Sequence, residues 1–472
     1  MVKLFYWACG ISFNFETKTT NSNNKLKSIL TILVLNKMKA KHVLFLSMAA
    51  LAISFVSCKK SDATTDPTPV KNSSYVINGG QVSGTWKSKD TMTIKGSFEI
   101  PLGQSLTIED GVKIIIKKNA DVPVEIMVYG NLYCLGKEGS PIKFTIPDSL
   151  RATNPTRVWG GIFAADKQTT PPNLVFQYCT FEYSGALTTN NSYSAHTFKS
   201  TVGKAVPAIN VMDQNSNLII QNCKFSLTTS DATYLQGGNM IISNNVFESC
   251  GDETGGEGIN LKSGIIADCG FNMFYGQCNS SFKLSGSTDG RTPGKFTVYN
   301  NTIVNGGNRK VPADFGAMYT ELLCNVNIFN NLMVNCRSGI LNSLATPAAS
   351  TSVVSNNFYY ANTQAQVDGF QESFAVGTKS KIFSGETNSV RGTVAGTNDP
   401  KFVSYDLTTS VTKATMDAAN NFHLQAGSPA LTAGAAPSTV AAKLNFPNGI
   451  TVNGVIYKAP TPAAYCGING IN

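Results

Sequence analysis

The chain has 472 residues, 42% hydrophobic and only 14% charged, so it can bury a large core and is not a polar disordered segment. Gly (41) and Asn are frequent, Phe is common (26), and long helical patterns are scarce, which favours short strands joined by tight turns. The formal charge of +9 comes largely from residues 1–57; without them 31 basic and 28 acidic residues remain, and no basic stripe with interleaved aromatics argues for a nucleic-acid partner.

Residues 1–37 carry no signal of their own and read as a mis-assigned extension, because Met38 begins a complete signal. Lys39 and Lys41 form a basic n-region, and residues 43–56 an apolar h-region too short and too early for a membrane span. It ends in Phe55-Val56-Ser57-Cys58, which resembles the lipobox of bacterial lipoproteins, where a small residue precedes a Cys that is lipidated and becomes the new N-terminus. The resemblance implies a signal peptide over residues 38–57 and a lipid anchor on Cys58, stable if it carries two or more acyl chains. Residues 58–73 are polar, contain Pro and lack periodicity, as in a flexible tether. The Cys58-Lys59-Lys60 start is similar to outer-membrane lipoproteins of glycan-degrading Gram-negative bacteria, which implies an outer-membrane location on the cell surface or the periplasmic face.

Residues 74–398 read as a solenoid and residues 399–472 as its closing segment. Six segments align on one column, among them Ile219-Ile220-Gln221-Asn222-Cys223-Lys224-Phe225, Ile241-Ile242-Ser243-Asn244-Asn245-Val246-Phe247 and Ile265-Ile266-Ala267-Asp268-Cys269-Gly270-Phe271. The column is Asn222, Asn244, Asp268, Asn300, Asn330 and Asn356, with steps of 22, 24, 32, 30 and 26 residues. A repeat of this length with three short apolar strands is one coil of a parallel β-helix. Asn suits the sharp bend because it tolerates left-handed backbone. Stacked coils, ~4.8 Å apart, would then pile these side chains into an amide ladder. Cys223 and Cys269, one position on, would fill gaps in the same stack. Nine Cys remain beside Cys9 and Cys58, with no CxxC pair, and are expected as stacked buried thiols, not disulfides.

The early coils read Leu106-Thr107-Ile108-Glu109-Asp110-Gly111-Val112-Lys113-Ile114, then Val128-Tyr129-Gly130-Asn131-Leu132, Pro141-Ile142-Lys143-Phe144-Thr145 and Trp159-Gly160-Gly161-Ile162. The end reads Asp399-Pro400-Lys401-Phe402 and His423-Leu424-Gln425-Ala426-Gly427-Ser428-Pro429-Ala430. Together these resemble secreted right-handed parallel β-helix proteins of the pectate-lyase-like superfamily, from about Tyr75 to the C-terminus. The resemblance implies an all-β, single-stranded solenoid of about ten or more coils; fold alone names no reaction.

In that superfamily the Asn turn lies between the second and third strands of a coil, and the first strand often lines the substrate groove. Counting back from each Asn places first strands at residues 208–213, 232–236, 258–262, 281–285, 317–321 and 339–344. Alternation then points Asn260, Lys262, Lys283 and Ser285 outward, with Lys283 stacked on Asn260 and Lys262 beneath Ser285. Long turns cluster on the same stretch. A polysaccharide lyase would take Lys262, Lys283 and Arg291 as catalytic cations and Asn260, Ser285, Arg309, Lys310 and Tyr319 as substrate contacts. Asp252, Glu253 and Glu257 would hold Ca2+, the one cofactor this reading admits. The structural alternative makes all of these solvated turn charges. A glycoside hydrolase has less support: the sequence has no Asp-Asp pair, and its three His are His42, His196 and His423, none in a suitable motif. The competing class is a monomeric, non-catalytic surface protein that binds glycan or acts as an adhesive or structural rod, with Tyr234, Tyr319 and Tyr193 as stacking platforms. An acid–base cluster in the groove would favour the enzyme, and a bare groove with aromatic stripes the binder.

Overall fold

The computed structural model describes residues 72–468, apart from residues 120, 154–155, 165, 167, 198–199, 253–254, 287–289 and 313 and the side chain of residue 197. The expected signal peptide, Cys58, Glu253 and all but the last two tether residues lie outside the described residues. Among the described residues no helix is long and apolar enough to cross a membrane.

The chain is a right-handed parallel β-helix in which each coil gives one short strand to each of three sheets. It enters on a third-sheet strand, Ser74–Ile77; Gly80–Gln81 then begins the first sheet and Gly84–Trp86 the second. Each strand pairs in parallel with its counterpart one coil away, up to Phe358–Tyr360. The third sheet has eleven strands, the second ten, and the first twelve, its last two antiparallel. First-sheet strands fall at Ile209–Val211, Thr233–Leu235, Ile259–Leu261, Phe282–Ser285, Met318–Glu321 and Ile340–Ser343, inside the windows counted from the Asn column.

In-register parallel strands place like side chains above one another, and the core is built from such columns. Phe144, Phe181, Phe225, Phe247 and Phe274 stack inside the third sheet with ring centroids 4.7–5.0 Å apart, within the offset-stacking range. The nine cysteines from Cys134 to Cys466 are buried and unpaired.

The amide ladder lies one column from where the sequence placed it. Asn222, Asn244, Asn300, Asn330 and Asn356 all adopt left-handed backbone, with φ between 49° and 58°, so they form the bend. Their side chains point outward and do not stack as a ladder. The ladder is made by the next residue of each coil. The Asn245 amide donates to Asn272 Oδ1 at 2.9 Å, Asn272 to Asn301 at 3.0 Å, Asn301 to Asn331 at 2.9 Å and Asn331 to Asn357 at 3.0 Å. Each amide also donates to a backbone carbonyl of the preceding coil, as Asn245 does to Ile220 O at 2.9 Å. Glu386 ends the stack by accepting from Asn357 Nδ2 at 3.0 Å. Cys223 does occupy this inner column, since its N–H donates to Asn245 Oδ1. Asp268 and Cys269 do not: they lie within the strand Ile265–Gly270, paired to Ile241 and Ile242. Phe271 takes the bend in that coil, with φ 58°. The alignment was out by three residues because Ile265-Ile266-Ala267-Asp268-Cys269 imitates Ile219-Ile220-Gln221-Asn222-Cys223, while the bend itself falls on the apolar Phe271.

The C-terminal segment folds back over the outside of the solenoid. The hairpin of Phe402–Ser404 and Asn421–Leu424 covers late outward residues of the third sheet, among them Tyr275, Val304 and Val334. The hairpin of Ile450–Val452 and Val455–Tyr457 covers Val175, Ile219 and Ile241 on the second sheet. Asp268 is the clamp of this strap: it accepts the N–H groups of Asn445 and Phe446, each at 2.8 Å. The outward Asn column serves the same end, with Asn330 Nδ2 donating to Ala463 O at 2.7 Å and Asn300 Nδ2 to Tyr465 O at 2.6 Å.

Candidate functional site

With the strap on the second and third sheets, the middle of the first sheet is the outer face that carries polar, half-buried side chains. Its outward column runs Asn210, Tyr234, Asn260, Lys283, Tyr319, each in register with the next. Two residues on, Lys262, Ser285 and Glu321 form a parallel column. The turns that lead into these strands add Asp231, Glu257 and Asn279.

Charges of both signs meet here. Lys262 Nζ lies 3.4 Å from Ser285 Oγ and 5.2 Å from the centre of the Tyr234 ring. Lys283 Nζ lies 3.4 Å from Glu321 Oε1 and 5.7 Å from the centre of the Tyr319 ring. Ser285 Oγ donates to Glu321 Oε1 at 2.7 Å, so a hydroxyl and a carboxylate link the two lysines. On the opposite flank the Glu257 N–H donates to Asp231 Oδ1 at 2.9 Å, Asn260 Nδ2 to Asp231 Oδ2 at 2.9 Å and Asn279 Nδ2 to Glu257 Oε1 at 3.2 Å.

The environment splits the two lysines. Burial first, and then the neighbouring Lys283 charge, bring Lys262 down to about 8. Lys283 is also buried, which works against its charge, but the carboxyls of Glu257 and Glu321 outweigh this and hold it above the ordinary lysine value. Glu257 is pushed well above the usual carboxylate range by burial and by the adjacent Asp231, to which it hydrogen-bonds. Glu257 and Asp231 thus form a buried acid pair beside Lys283. At neutral pH the site combines an ammonium fixed by carboxylates, a second amine close to its titration point, and an acid pair.

The structure places the sequence-derived residues in three groups. Lys262, Lys283 and Tyr319 meet on the open face, and Arg291 joins them through Gln236 O at 2.6 Å, at the end of the strand that carries Tyr234. Asn260 and Ser285 occupy the expected columns but are 4% and 0% exposed, so they form the layer beneath the lysines and not a contact surface. Arg309 is turned to backbone: it donates to the carbonyls of Gly276, Cys250 and Gly251 at 2.9–3.1 Å and ties adjacent turns together. Lys310 stands 5.9 Å from the centre of the Phe315 ring. Asp252 pairs with Arg157. Among the described residues no group of three or more His, Cys, Asp and Glu is arranged to hold a metal ion. Sequence reasoning missed Asp231 and Glu321. Glu321 ends a correctly placed strand on its outward phase, and Asp231 directly precedes another, so the same register count would have reached both.

No protein-family model and no curated protein matches the chain. Among solved structures it is similar to the pectate lyase Pel9A, at 12% identity and a TM-score of 0.29 over 84% of this chain and 97% of that one. It is also similar to a mutant of the periplasmic alginate epimerase AlgG, at 9% identity and a TM-score of 0.18 over 66% of this chain and 78% of that one. The class of this protein, a right-handed parallel β-helix, rests on its own strand register.

Proposed function

We propose that the middle of the first sheet binds an acidic polysaccharide and cleaves it by β-elimination. The observation that carries this reading is the pairing of unlike lysines one coil apart, Lys262 on Ser285 and Lys283 on Glu321. In such a site Lys283, kept as an ammonium, holds the uronate carboxylate. Lys262, as the free amine, takes the proton from the carbon beside that carboxylate. The electron pair left behind forms a carbon–carbon double bond, and the glycosidic oxygen departs and takes a proton from water. Arg291 adds positive charge at the same edge. The acid–base cluster supports this over a passive binding surface. Ca2+ held by Asp252, Glu253 and Glu257 would be an alternative means to neutralise the uronate carboxylate.

The test is an absorbance assay for unsaturated uronates against a panel of uronate polymers. Cleavage of at least one member, lost in Lys262→Ala, supports the reading. Binding without cleavage in the wild type favours a glycan-binding or adhesive rod, and neither cleavage nor binding refutes both. We further propose that Cys58 anchors the chain to the outer membrane, as its lipobox-like setting implies.

A further inference from the structure

We propose that this polar face of the first sheet is bounded at both ends, so that its ligand is a short acidic glycan, an oligosaccharide or the end of a chain, and not the interior of a polymer. This rests on the acidic-glycan reading above.

The carrying observation is an insertion on the same face. Asn173 and Asn217 stack although 44 residues apart, whereas Asn217 and Asn239 are 22 apart. The extra length lies between the strands Cys179–Glu182 and Ile209–Val211, and its described residues Tyr193 and Val206 pack onto the first sheet. Met127 and Phe163 continue the outward column beyond Asn210, and both are fully buried. They pack with Val206 of the insertion and with Tyr193, Tyr129 and Met212. The insertion is pinned at three places. Ser194 donates its N–H and its hydroxyl to the buried Glu125 carboxylate at 3.0 and 2.6 Å. Thr229 Oγ1 donates to Gly185 O at 3.0 Å, and Ser230 Oγ to Ala205 O at 3.3 Å. This is a fixed wall.

At the other side Leu341, one coil past Tyr319, is again fully buried. Between these limits stand the half-buried Tyr234, Lys283 and Tyr319. Tyr234 to Tyr319 is three coil steps, about 14 Å at ~4.8 Å per step. A polymer laid along the axis would run into Tyr193 and Val206, whereas a chain end stops against them.

The experiment is calorimetric titration of the full chain with size-fractionated galacturonate chains, and with alginate fractions as a second series. It is run at pH 6, where Lys262 stays protonated and cleavage is suppressed. The expected result is a fixed number of proteins per chain, independent of chain length, with affinity levelling off after the first few sugars. Bound protein that grows in proportion to chain length overturns the bounded face and leaves the acidic-glycan reading standing. Absence of binding to either series overturns that reading and this inference with it. The double variant Tyr193→Ala, Ser194→Ala should raise the protein bound per long chain severalfold. A folded double variant that stays chain-end-limited overturns the assignment of the wall to this insertion. If the variant fails to fold, the wild-type stoichiometry decides alone.

Discussion

Asn244 and Asn245 are adjacent in sequence, yet they should respond very differently to truncation. Asn245 is 1% exposed, and its side chain accepts from Cys223 N at 2.8 Å and donates to Ile220 O and to Asn272 Oδ1, both at 2.9 Å. In Asn245→Ala the Asn272 oxygen keeps the Asn245 N–H as a donor and the Ile220 carbonyl keeps its ladder partner on the strand Gly238–Ser243, but the Cys223 N–H is left without an acceptor in a dry interior. The stranded donor costs roughly 1–3 kcal/mol and the lost side-chain bond to Asn272 adds to it, so the loss should be about 2–3 kcal/mol. Asn244 is exposed with φ 58°. Asn244→Ala exchanges a residue that tolerates left-handed backbone for one that does not, at a cost of about 1 kcal/mol, and Asn244→Gly should be neutral or slightly stabilising. The assay is urea unfolding followed by the fluorescence of Trp159, which is fully buried in the core. Equal losses at the two positions, or a larger loss at Asn244, would refute the inner ladder and restore the outward column as the stabilising one.

The remaining expectations concern the site and the strap. Activity should rise as pH passes about 8, because the base must lose its proton. In Lys283→Met the rise should move to higher pH, since the neighbouring charge no longer depresses Lys262; a pH–rate profile unchanged by that substitution would remove Lys262 from the base role. Glu257→Gln should unfold within about 1 kcal/mol of wild type at pH 7, because burial and the adjacent Asp231 oppose the charge it removes; a loss of several kcal/mol would mean that its attraction to Lys283 outweighs both. Asp268→Ala leaves the Asn445 and Phe446 N–H groups without their acceptor and should expose residues 431–468 to limited proteolysis while the coils persist. Equal protease resistance would show that the strap is held by its apolar contacts alone. Cys58→Ser should release the protein from membranes, and a normally processed, membrane-bound Cys58→Ser protein would rule out that anchor.

What the sequence disclosed, and what it hid, follows from the range of the forces involved. The first-sheet strands were countable from the Asn bends because a left-handed residue at a fixed offset is a local backbone requirement, repeated in each coil. The pairing of Asn260 with Lys283, and of Lys262 with Ser285, came from the same count and strand alternation. The ladder was less legible. In Asn244-Asn245, Asn300-Asn301, Asn330-Asn331 and Asn356-Asn357 both members are Asn, and only the fold decides which one bends the chain and which one faces inward. Two coils resolve it in opposite senses: Phe271-Asn272 keeps Asn only at the inner position and Asn222-Cys223 only at the bend, so the sequence leaves the choice to the fold. The lysine environments were beyond reach for another reason. Lys262 is lowered by burial that depends on long turns whose course no periodicity encodes. The strap and the insertion are the same problem on a larger scale, since both are contacts between segments far apart in the chain. Yet their targets carry a mark in the strands. An outward column of the third sheet is polar in early coils, at Glu182, Ser226 and Glu248, and becomes Tyr275, Val304, Val334 and Tyr360 in late ones. On the first sheet the change runs the other way, from Met127 and Phe163 to Asn260 and Lys283. An outward column that turns apolar needs a cover, and one that turns polar does not. The two trends together pick out the middle coils of the first sheet as a face free for a ligand.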